Sequence, residues 1–379
     1  SKSKGELRNA LLLFNVMKRP WIVRLGKWAS SVALKIRFPI GWIVKPTLYR
    51  QFVGGETIDD CKKVVARLAA SGVCGALDYS AEAEKTPEGI LATFEETKRS
   101  IENAAVNENI PYAIFKPSTL TTDALLSKVS EKSGPLTPAE EKEYEAFRER
   151  FMGLCRLAHE RGVRILVDAE DYCFQDAIDD LTDQALREFN RERVIVFATL
   201  QMYRHDRMPY LERILKDAVE RGYYPGIKFV RGAYMEEERE RAARMGYPDP
   251  ICPDKAATDA NYNAGVRFVV ENIDRMELFM GTHNEESNYL LASLMDEKGI
   301  ARGDKRIFSS QLYGMSDHIS YNMAEAGYNV TKYIPYASVR DVLPYLFRRA
   351  EENTSVAGQT LRELTMLRSE KKRRRQASK

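Results

Sequence analysis

Short runs rich in apolar and β-branched residues alternate with longer amphipathic segments from about residue 57 to the C-terminus. Eight such runs occur, at residues 72–78, 111–116, 163–168, 193–201, 226–231, 276–283, 305–311 and 328–333. The segments between them, such as PYLERILKDAVERG at 209–222, space their apolar residues as a helix does. Strands that alternate with helices of this length form parallel βαβ units, and eight units predict a closed (β/α)8 barrel of the α/β class.

The residues before the barrel follow a different pattern. Between residues 6 and 50, apolar clusters alternate with Lys and Arg at roughly helical spacing, which predicts amphipathic helices packed on the main domain. The three tryptophans Trp21, Trp28 and Trp42 lie among basic residues and also suit a lipid headgroup region, so an interfacial membrane role is the alternative.

These patterns divide the chain into three parts. We predict an N-terminal helical segment (1–56), a barrel (57–362) and a basic C-terminal tail (363–379). Residues 130–143, SEKSGPLTPAEEKE, are rich in turn formers and charge and are predicted as a loop or small helical insertion after the second strand.

Composition narrows the classes of function. The 379 residues are 44% hydrophobic, enough for a large core, and 58 basic against 55 acidic residues give a net charge of +3, which argues against nucleic acid as the main partner. Five cysteines without a CxxC pair favour reduced thiols, and the four histidines form no cluster with them, so we expect no metal site. No apolar run approaches the ~20 residues that span a bilayer. Neither GxGxxG nor GxxxxGK[ST] occurs, so nothing indicates a Rossmann nicotinamide site or a P-loop.

A polar residue ends every predicted strand. In a (β/α)8 barrel the chemistry lies at the C-terminal ends of the strands. Each such residue alone has an ordinary explanation as a cap or a solvent-facing side chain, but eight around one rim predict an active-site mouth. They are Asp78, Lys116, Asp168, Gln201, Arg231, His283 (with its neighbours Thr282 and Asn284), Gln311 and Tyr333.

Three of these positions indicate the chemistry. Lys116 and Asp168 end neighbouring strands, which predicts a buried ion pair that keeps the lysine charged and argues against a Schiff-base role. Arg231 would place positive charge beside an electron-accepting ring. His283 and Asn284 begin the helix after strand six, where helix N-termini favour phosphates. A cofactor with a pyrophosphate and a redox ring, and without a nicotinamide motif, is most economically a flavin.

The stretch YLFRRAEEN, residues 345–353, places two arginines side by side near the end of the barrel. The ordinary interpretation pairs Arg348 and Arg349 with Glu352 at spacings of four and three, as surface ion pairs worth well under 1 kcal/mol. The functional interpretation is a clamp, because two guanidinium groups on one helix edge grip a planar carboxylate from two directions.

Four segments together resemble the proline dehydrogenase family: VDAE (167–170), KFVRGAYMEEE (228–238), GTHN (281–284) and YLFRRAEEN. Members of this family oxidise L-proline to Δ1-pyrroline-5-carboxylate with FAD. The resemblance covers about residues 50–360 and is closer to the monofunctional, eukaryote-like branch than to the bifunctional bacterial proline utilisation protein. It implies FAD in a distorted (β/α)8 barrel and a quinone as electron acceptor.

The resemblance also implies the substrate contacts. Arg348 and Arg349 would bind the substrate carboxylate, and Tyr333 would pack on the far carbons of the proline ring. Lys116 and Asp168 would sit beside that ring. Glu82 would pair with the first arginine to close the site, in competition with Glu352.

The cofactor contacts follow from the same resemblance. Arg231 would lie near flavin N5 and Gln201 near the pyrimidine edge. Thr282, His283 and Asn284 would lie along the ribityl chain and pyrophosphate. The phosphates and adenosine would be approached by Gln311, Lys255 and Thr258.

The physical chemistry of proline sets what such a site must do. Hydride leaves C5 only when the ring nitrogen has a free lone pair, so the site should favour the deprotonated amine. Arg348 and Arg349 would promote this form by orientation and positive potential, and Arg231 would stabilise negative charge on the reduced ring.

Two alternatives remain open at this point. A hydroxyproline dehydrogenase shares the scaffold and differs in the pocket over the ring. A membrane or nucleic-acid binding module is favoured by the basic N-terminal helices and by RSEKKRRRQASK at 368–379, although a terminal run of charge is most often disordered and solvated. Attraction to anionic lipid would place the enzyme peripherally at the cytoplasmic face of a bacterial inner membrane or at the mitochondrial inner membrane, and otherwise we expect it in the cytoplasm.

Overall fold

Eight parallel strands form a closed barrel in sequence order, as predicted. A computed structural model of the chain describes residues 4–17, 19, 21, 41–81, 85–355 and 357–376. The strands are β1 (Val73–Tyr79), β2 (Tyr112–Phe115), β3 (Arg164–Val167), β4 (Val196–Gln201), β5 (Gly226–Val230), β6 (Glu277–Gly281), β7 (Ile307–Leu312) and β8 (Val330–Tyr336). β8 pairs with β1 along seven positions, from Val73 with Val330 to Tyr79 with Tyr336, and this pairing closes the barrel.

Helices surround the barrel and precede and follow it. The first part of the chain contains α1 (Lys4–Met17), α2 (Gly41–Val44), a π-helical turn (Lys45–Tyr49), α3 (Arg50–Phe52) and α4 (Ile58–Ala69). The barrel helices are α5 (Pro87–Ala105), α6 (Asp123–Ser130), α7 (Pro138–Arg161), α8 (Tyr172–Phe189), α9 (Arg207–Arg221), α10 (Met235–Met245), α11 (Lys255–Glu271), α12 (Glu285–Glu297), α13 (Asp317–Glu325) and α14 (Val339–Ser355). A 3₁₀ turn (Pro117–Leu120) follows β2, and α15 (Ala357–Gln376) ends the described chain.

Side chains alternate between the inside of the barrel and the surrounding helices. Residues such as Leu77, Val167 and Ile227 face the helices and belong to the large core between the sheet and the helical layer. On the inside, the Tyr112 ring packs edge-on against Phe197, Phe279 and Phe308, with ring centroids 4.8–5.4 Å apart. This aromatic layer fills the lower barrel, so the space for chemistry lies at the C-terminal mouth.

Of the described strands, only β4 ends at the predicted residue, Gln201. β1 ends one residue after Asp78, and β2, β3, β5 and β6 end one or two residues before the predicted ends. β8 continues to Tyr336, so Tyr333 lies inside the strand and does not end it, and β7 ends at Leu312, one residue after Gln311. β8 is longer because β1 offers it a pairing partner up to Tyr79, and this tertiary contact lies beyond the reach of a local pattern.

Residues 130–143 were predicted as a loop or small helical insertion, and the second half is helical but belongs to a long helix rather than to a small insertion. α7 begins at Pro138, where Thr137 accepts a hydrogen bond from the backbone of Glu140 and Glu140 accepts one from the backbone of Thr137. This reciprocal arrangement is a capping box, and proline suits the first position of a helix. The turn formers of this segment therefore start a helix of 24 residues.

The terminal helices pack together beside the barrel. A second core joins Leu7 and Phe14 of α1 to Phe52, to Leu346 of α14 and to Leu364 of α15. The part of the predicted N-terminal helices at residues 22–40 lies outside the described residues.

The basic C-terminal stretch is helical through Gln376, so the expectation of a disordered run was wrong for residues 368–376. Its helix is held to α1 by buried Leu364 and by a 3.2 Å hydrogen bond from Arg368 to Asn15. Within the part of the chain that the structure describes, no helix combines the length and apolar character needed to cross a bilayer.

Replacing Gly314 with Ala should destabilise the fold more than the same change at Gly299. Both glycines have positive φ, +82° and +65°, where a Cβ costs roughly 1–2 kcal/mol. A Cβ at position 314 would also lie 1.9 Å from the backbone oxygen of Gln51, whereas one at position 299 meets nothing within 4 Å. Urea unfolding gives the free energy of unfolding of G314A and of G299A. An equal decrease of this free energy in both variants would contradict the packing of the Gln51 segment on the β7–α13 loop.

Candidate active site

A group of lysines and carboxylates lines the inner face of the barrel mouth. Lys116 contacts Asp78 and lies 3.5 Å from Asp168, so the predicted Lys116–Asp168 pair is present, but its closer partner is Asp78. Asp168 also accepts hydrogen bonds from Lys228 at 2.5 Å and from the Tyr333 hydroxyl at 2.6 Å. One carboxylate thus holds two cations and a phenol.

Charge in this group is fixed by mutual contact. Burial by itself would lower the pKa of Lys116, but Asp78 and Asp168 raise it above its usual value. Burial by itself would raise the pKa of Asp168, but Lys228 and Lys116 bring it below its usual value. Lys116 and Asp168 are therefore charged at neutral pH, which supports the expectation that Lys116 does not act through a Schiff base.

Lys228 was missed by the sequence analysis. It lies within β5, is 4% exposed and faces the barrel interior, where its ammonium lies 4.9 Å from the Tyr333 ring centroid. A charged residue inside an apolar strand was the available signal, since burying a lysine requires a partner.

Two residues predicted to face the mouth point instead toward the helices. Arg231 follows β5 with the opposite orientation from Lys228, and its guanidinium donates to Asp259, Thr282 and Ser287 at 2.8, 2.5 and 3.1 Å. The Gln311 amide oxygen accepts a hydrogen bond from Ser320 of α13 at 2.7 Å. Because side chains of a strand alternate, these two positions face outward while Asp78, Lys116, Asp168 and Gln201 face inward.

Gln201 and Glu170 join the ends of β3 and β4. The Gln201 amide donates to the backbone oxygen of Glu170 at 2.9 Å, and both side chains are buried. The Glu170 carboxylate accepts hydrogen bonds from the backbone and hydroxyl of Ser118 at 3.2 and 2.8 Å. Glu170 was not among the predicted site residues, although it belongs to the VDAE segment.

The N-terminus of α12 lies at the rim, as predicted. Asn284 caps this helix by accepting a hydrogen bond from the Ser287 backbone at 3.0 Å, and Thr282 accepts one from the Asn284 backbone at 3.1 Å. His283 shares a 2.9 Å hydrogen bond with Ser316.

Positive charge surrounds His283. Burial and the neighbouring cations Lys332, Arg349 and Arg231 lower the pKa of His283 to about 3, so its ring is neutral. A helix N-terminus next to several cations is a favourable place for an anion such as a pyrophosphate.

The remaining predicted cofactor residues lie on α11. Lys255 is exposed and contacts Asp259, the carboxylate that also binds Arg231. Thr258 is buried one turn from the start of the same helix. Both therefore flank the carboxylate that binds Arg231, on the helix-facing side of β5.

Arg348 and Arg349 lie half-buried on α14, the helix that follows β8. The Arg349 guanidinium packs 5.4 Å from the ring centroid of Tyr345. The charge of Arg348 acts on the pKa of Tyr234, as do those of Asp168 and Glu170, so this arginine lies near the mouth. Glu82 and the side chain of Glu352 lie outside the described residues, and their predicted competition for the arginines stays a prediction.

Comparison with known proteins agrees with this geometry. Residues 61–362 match the family model described as proline dehydrogenase. The chain is 35% identical to the carbapenem antibiotics biosynthesis protein CarD of Pectobacterium carotovorum, over 85% of this chain and 83% of that protein. It is 33% identical to the mitochondrial proline dehydrogenase 1 of Drosophila melanogaster, over 84% of this chain and 47% of that protein. A hydroxyproline dehydrogenase of Xenopus laevis is 31% identical, over 98% of this chain and 88% of that protein.

A solved structure shares the fold. Proline utilization A from Bdellovibrio bacteriovorus superposes with a TM-score of 0.73 at 19% identity, over 93% of this chain and 38% of that one. The chain spans less than half the length of this protein and of the Drosophila relative. With a family model that covers most of its length, the chain belongs to the proline dehydrogenase family.

Proposed function

We propose that this chain oxidises L-proline to Δ1-pyrroline-5-carboxylate with bound FAD and passes the electrons to a quinone. The observation that carries the proposal is the pairing of two chemical features at one barrel mouth. Two adjacent arginines on α14 supply a carboxylate clamp, and the inner face supplies the ordered group of Lys116, Asp168, Lys228 and Tyr333. A small cyclic amino acid presents one carboxylate and one apolar ring, which match these two features.

The residues present fit FAD. The pyrophosphate would be held by Thr282, His283 and Asn284, where the N-terminus of α12 and nearby cations favour a dianion. Gln201 would lie at the pyrimidine edge, and Gln311, Lys255 and Thr258 would lie toward the phosphates and adenosine. When bound, FAD supplies the two-electron oxidant.

The chain's own side chains would prepare proline for oxidation. Arg348 and Arg349 would fix its carboxylate and, by their positive potential, favour loss of a proton from the ring nitrogen. Tyr333, held by Asp168, would form a rigid wall against the carbons far from the carboxylate. Positive charge beside the electron-accepting ring would come from Lys228 on the inner face. Arg231, although its guanidinium donates to Asp259 and Thr282 on the helix side of β5, would add positive potential at the rim.

Hydroxyproline is the second candidate substrate, favoured by the similarity to the Xenopus laevis hydroxyproline dehydrogenase. Tyr333 argues for proline, since its hydroxyl is already bonded to Asp168 and its ring would occupy the space of a 4-hydroxyl group.

The carboxylate clamp predicts the kinetics of two variants. Wild-type protein should contain FAD and its yellow colour should bleach with L-proline in the absence of oxygen. Arg348→Ala and Arg349→Ala should each keep FAD and raise KM for proline at least about ten-fold, because each removes a charge-assisted hydrogen bond to a partly buried carboxylate. Arg340→Ala, an exposed arginine of the same helix, is the matched control and should behave as wild type. Normal proline kinetics in both clamp variants would refute the clamp, and a wild type that proline does not bleach would refute the proposed activity.

The fixed position of the Tyr333 ring predicts which substrate the protein prefers. Wild type should prefer L-proline strongly over trans-4-hydroxy-L-proline, because a buried hydroxyl without a partner costs about 1–3 kcal/mol in addition to the steric clash. Tyr333→Ser should lower kcat/KM for proline and raise the relative activity on hydroxyproline. Tyr333→Phe keeps the ring and should keep the preference. The measurement is the ratio of kcat/KM values for the two substrates, and an unchanged ratio in Tyr333→Ser would remove Tyr333 from the pocket.

We also propose peripheral association with an anionic membrane, the place where a quinone would accept the electrons. Support comes from the basic residues of α15 and from exposed apolar side chains near α1, namely Leu12, Val16, Trp21 and Trp42. α1, which carries Leu12 and Val16, packs against α15. The mitochondrial relatives favour the mitochondrial inner membrane as one location of this kind.

Truncation after Leu367 should weaken binding to anionic vesicles in a salt-dependent way and leave activity with a soluble dye unchanged. Each basic residue near the surface contributes about 1 kcal/mol, and Leu364 remains to hold the shortened helix. Co-sedimentation with vesicles at two salt concentrations measures this, and a variant with Gln at positions 371–375 separates charge from helix length. Equal vesicle binding by all three proteins would exclude the tail from membrane association.

A further inference from the structure

Within the part of the chain that the structure describes, one buried carboxyl group at the mouth forms no ion pair. Asp78, Asp168, Lys116 and Lys228 balance one another as two acids and two bases. Glu170, which is 5% exposed, is a third acid beside them, and within the described residues it forms no ion pair. No step of the proposed proline oxidation uses Glu170.

The position of Glu170 is fixed by hydrogen bonds that carry no net charge. Its backbone donates to Gln175 at 2.8 Å and accepts from Gln201 at 2.9 Å. Its carboxylate accepts from the backbone and hydroxyl of Ser118, the second residue after Lys116. A carboxylate so placed is rigid and close to the predicted substrate position beside Lys116.

Several charged and titratable groups lie near Glu170. Lys116 from the end of β2 and Asp168 from the end of β3 act on it directly, and Tyr234 lies on the β5–α10 side. Asp171 precedes α8 and lies near the charge of Arg348. Burial raises the pKa of Glu170 to about 7, and the Ser118 hydrogen bonds and Lys116 offset only part of that effect.

Asp168, His283 and Tyr333 are poor proton acceptors at neutral pH, whereas Asp171, whose pKa burial raises to about 6, is tested below. Lys116 and Lys228 hold Asp168 in its ionised form and keep its pKa low. The His283 ring has a pKa of about 3, and burial and Asp168 raise the pKa of Tyr333 well above its usual value, so neither exchanges a proton near pH 7.

We propose that Glu170 accepts the proton that the substrate ammonium loses before oxidation, with the Ser118 hydroxyl as the relay. This inference rests on the proposed function. The ring nitrogen would give one proton to Ser118 Oγ, while the proton of that hydroxyl moves to Glu170 Oε1. The products are a neutral amine with a free lone pair and a neutral Glu170, and no electrons are transferred in this step. Glu170 returns to its ionised form by losing the proton to solvent.

The test is the pH dependence of kcat/KM for L-proline. In wild type, kcat/KM should rise about ten-fold per pH unit below pH 7 and flatten above it, because only the ionised carboxylate accepts a proton. Glu170→Gln keeps the shape and the Ser118 contact and should lose this inflection, with kcat/KM at pH 8 lowered about a hundred-fold. Ser118→Ala should lower kcat/KM in the same direction and move the inflection to higher pH, because the Ser118 hydroxyl lowers the pKa of Glu170.

Asp183→Asn is the matched control. Asp183 is a half-buried carboxyl group whose pKa burial raises to about 6, but it accepts a hydrogen bond from Tyr210 between α8 and α9, away from the mouth. This variant should keep the wild-type profile. Infrared difference spectra of wild type between pH 6 and 8 should show a protonated carboxyl band that Glu170→Gln lacks and Asp183→Asn keeps.

The outcomes separate this inference from the proposed function. A wild-type inflection that survives in Glu170→Gln, or that disappears in Asp171→Asn alone, would overturn the role of Glu170 while leaving proline oxidation intact. Absence of flavin reduction by proline in wild type would overturn the proposed function itself. Loss of the inflection together with the infrared band only in Glu170→Gln would support the proton acceptor.

Discussion

Asp168 is the constraint on which the barrel mouth depends. Two lysines point into the barrel mouth, where an unpaired charge that is largely buried costs several kcal/mol. Asp168 compensates Lys228 and part of the charge of Lys116, while Asp78 compensates the remainder. The same carboxylate holds the Tyr333 hydroxyl, so charge balance and the shape of the pocket wall are set by one side chain.

The helix that carries the arginines is positioned by packing outside the barrel. Leu343, Leu346 and Ala350 bury one face of α14 in the second core, against α1, the segment around Phe52 and α15. With that face fixed, Arg348 and Arg349 occupy positions that remain half-buried. The terminal helices thus act on the site by fixing the orientation of α14. Their apolar contacts outside the barrel position the two arginines that α14 carries.

The local pattern of the chain was sufficient for much of the fold. Eight β-rich runs separated by amphipathic segments specify eight βα units, because a parallel strand buried on both faces and a helix buried on one have different periods. Errors arose at element ends. The segment at 130–143 was judged by its turn formers, yet Thr137, Pro138 and Glu140 are also the signals of a helix start. The end of β8 was misplaced because its last residues are strand only through pairing with β1.

The sequence by itself determined the fold class, the family and the identity of the polar residues near the strand ends, since periodicity and short motifs are local properties. The tertiary structure decided which of those residues meet. Alternation along β5 turns Lys228 inward and Arg231 toward α11 and α12, and the Lys116 ammonium lies closer to Asp78 than to Asp168. Glu170 acquired its raised pKa only through burial beside an already balanced set of charges. These features depend on which strand lies beside which and at what height, and a local pattern does not contain that information because the register is set by contacts between residues far apart in the chain.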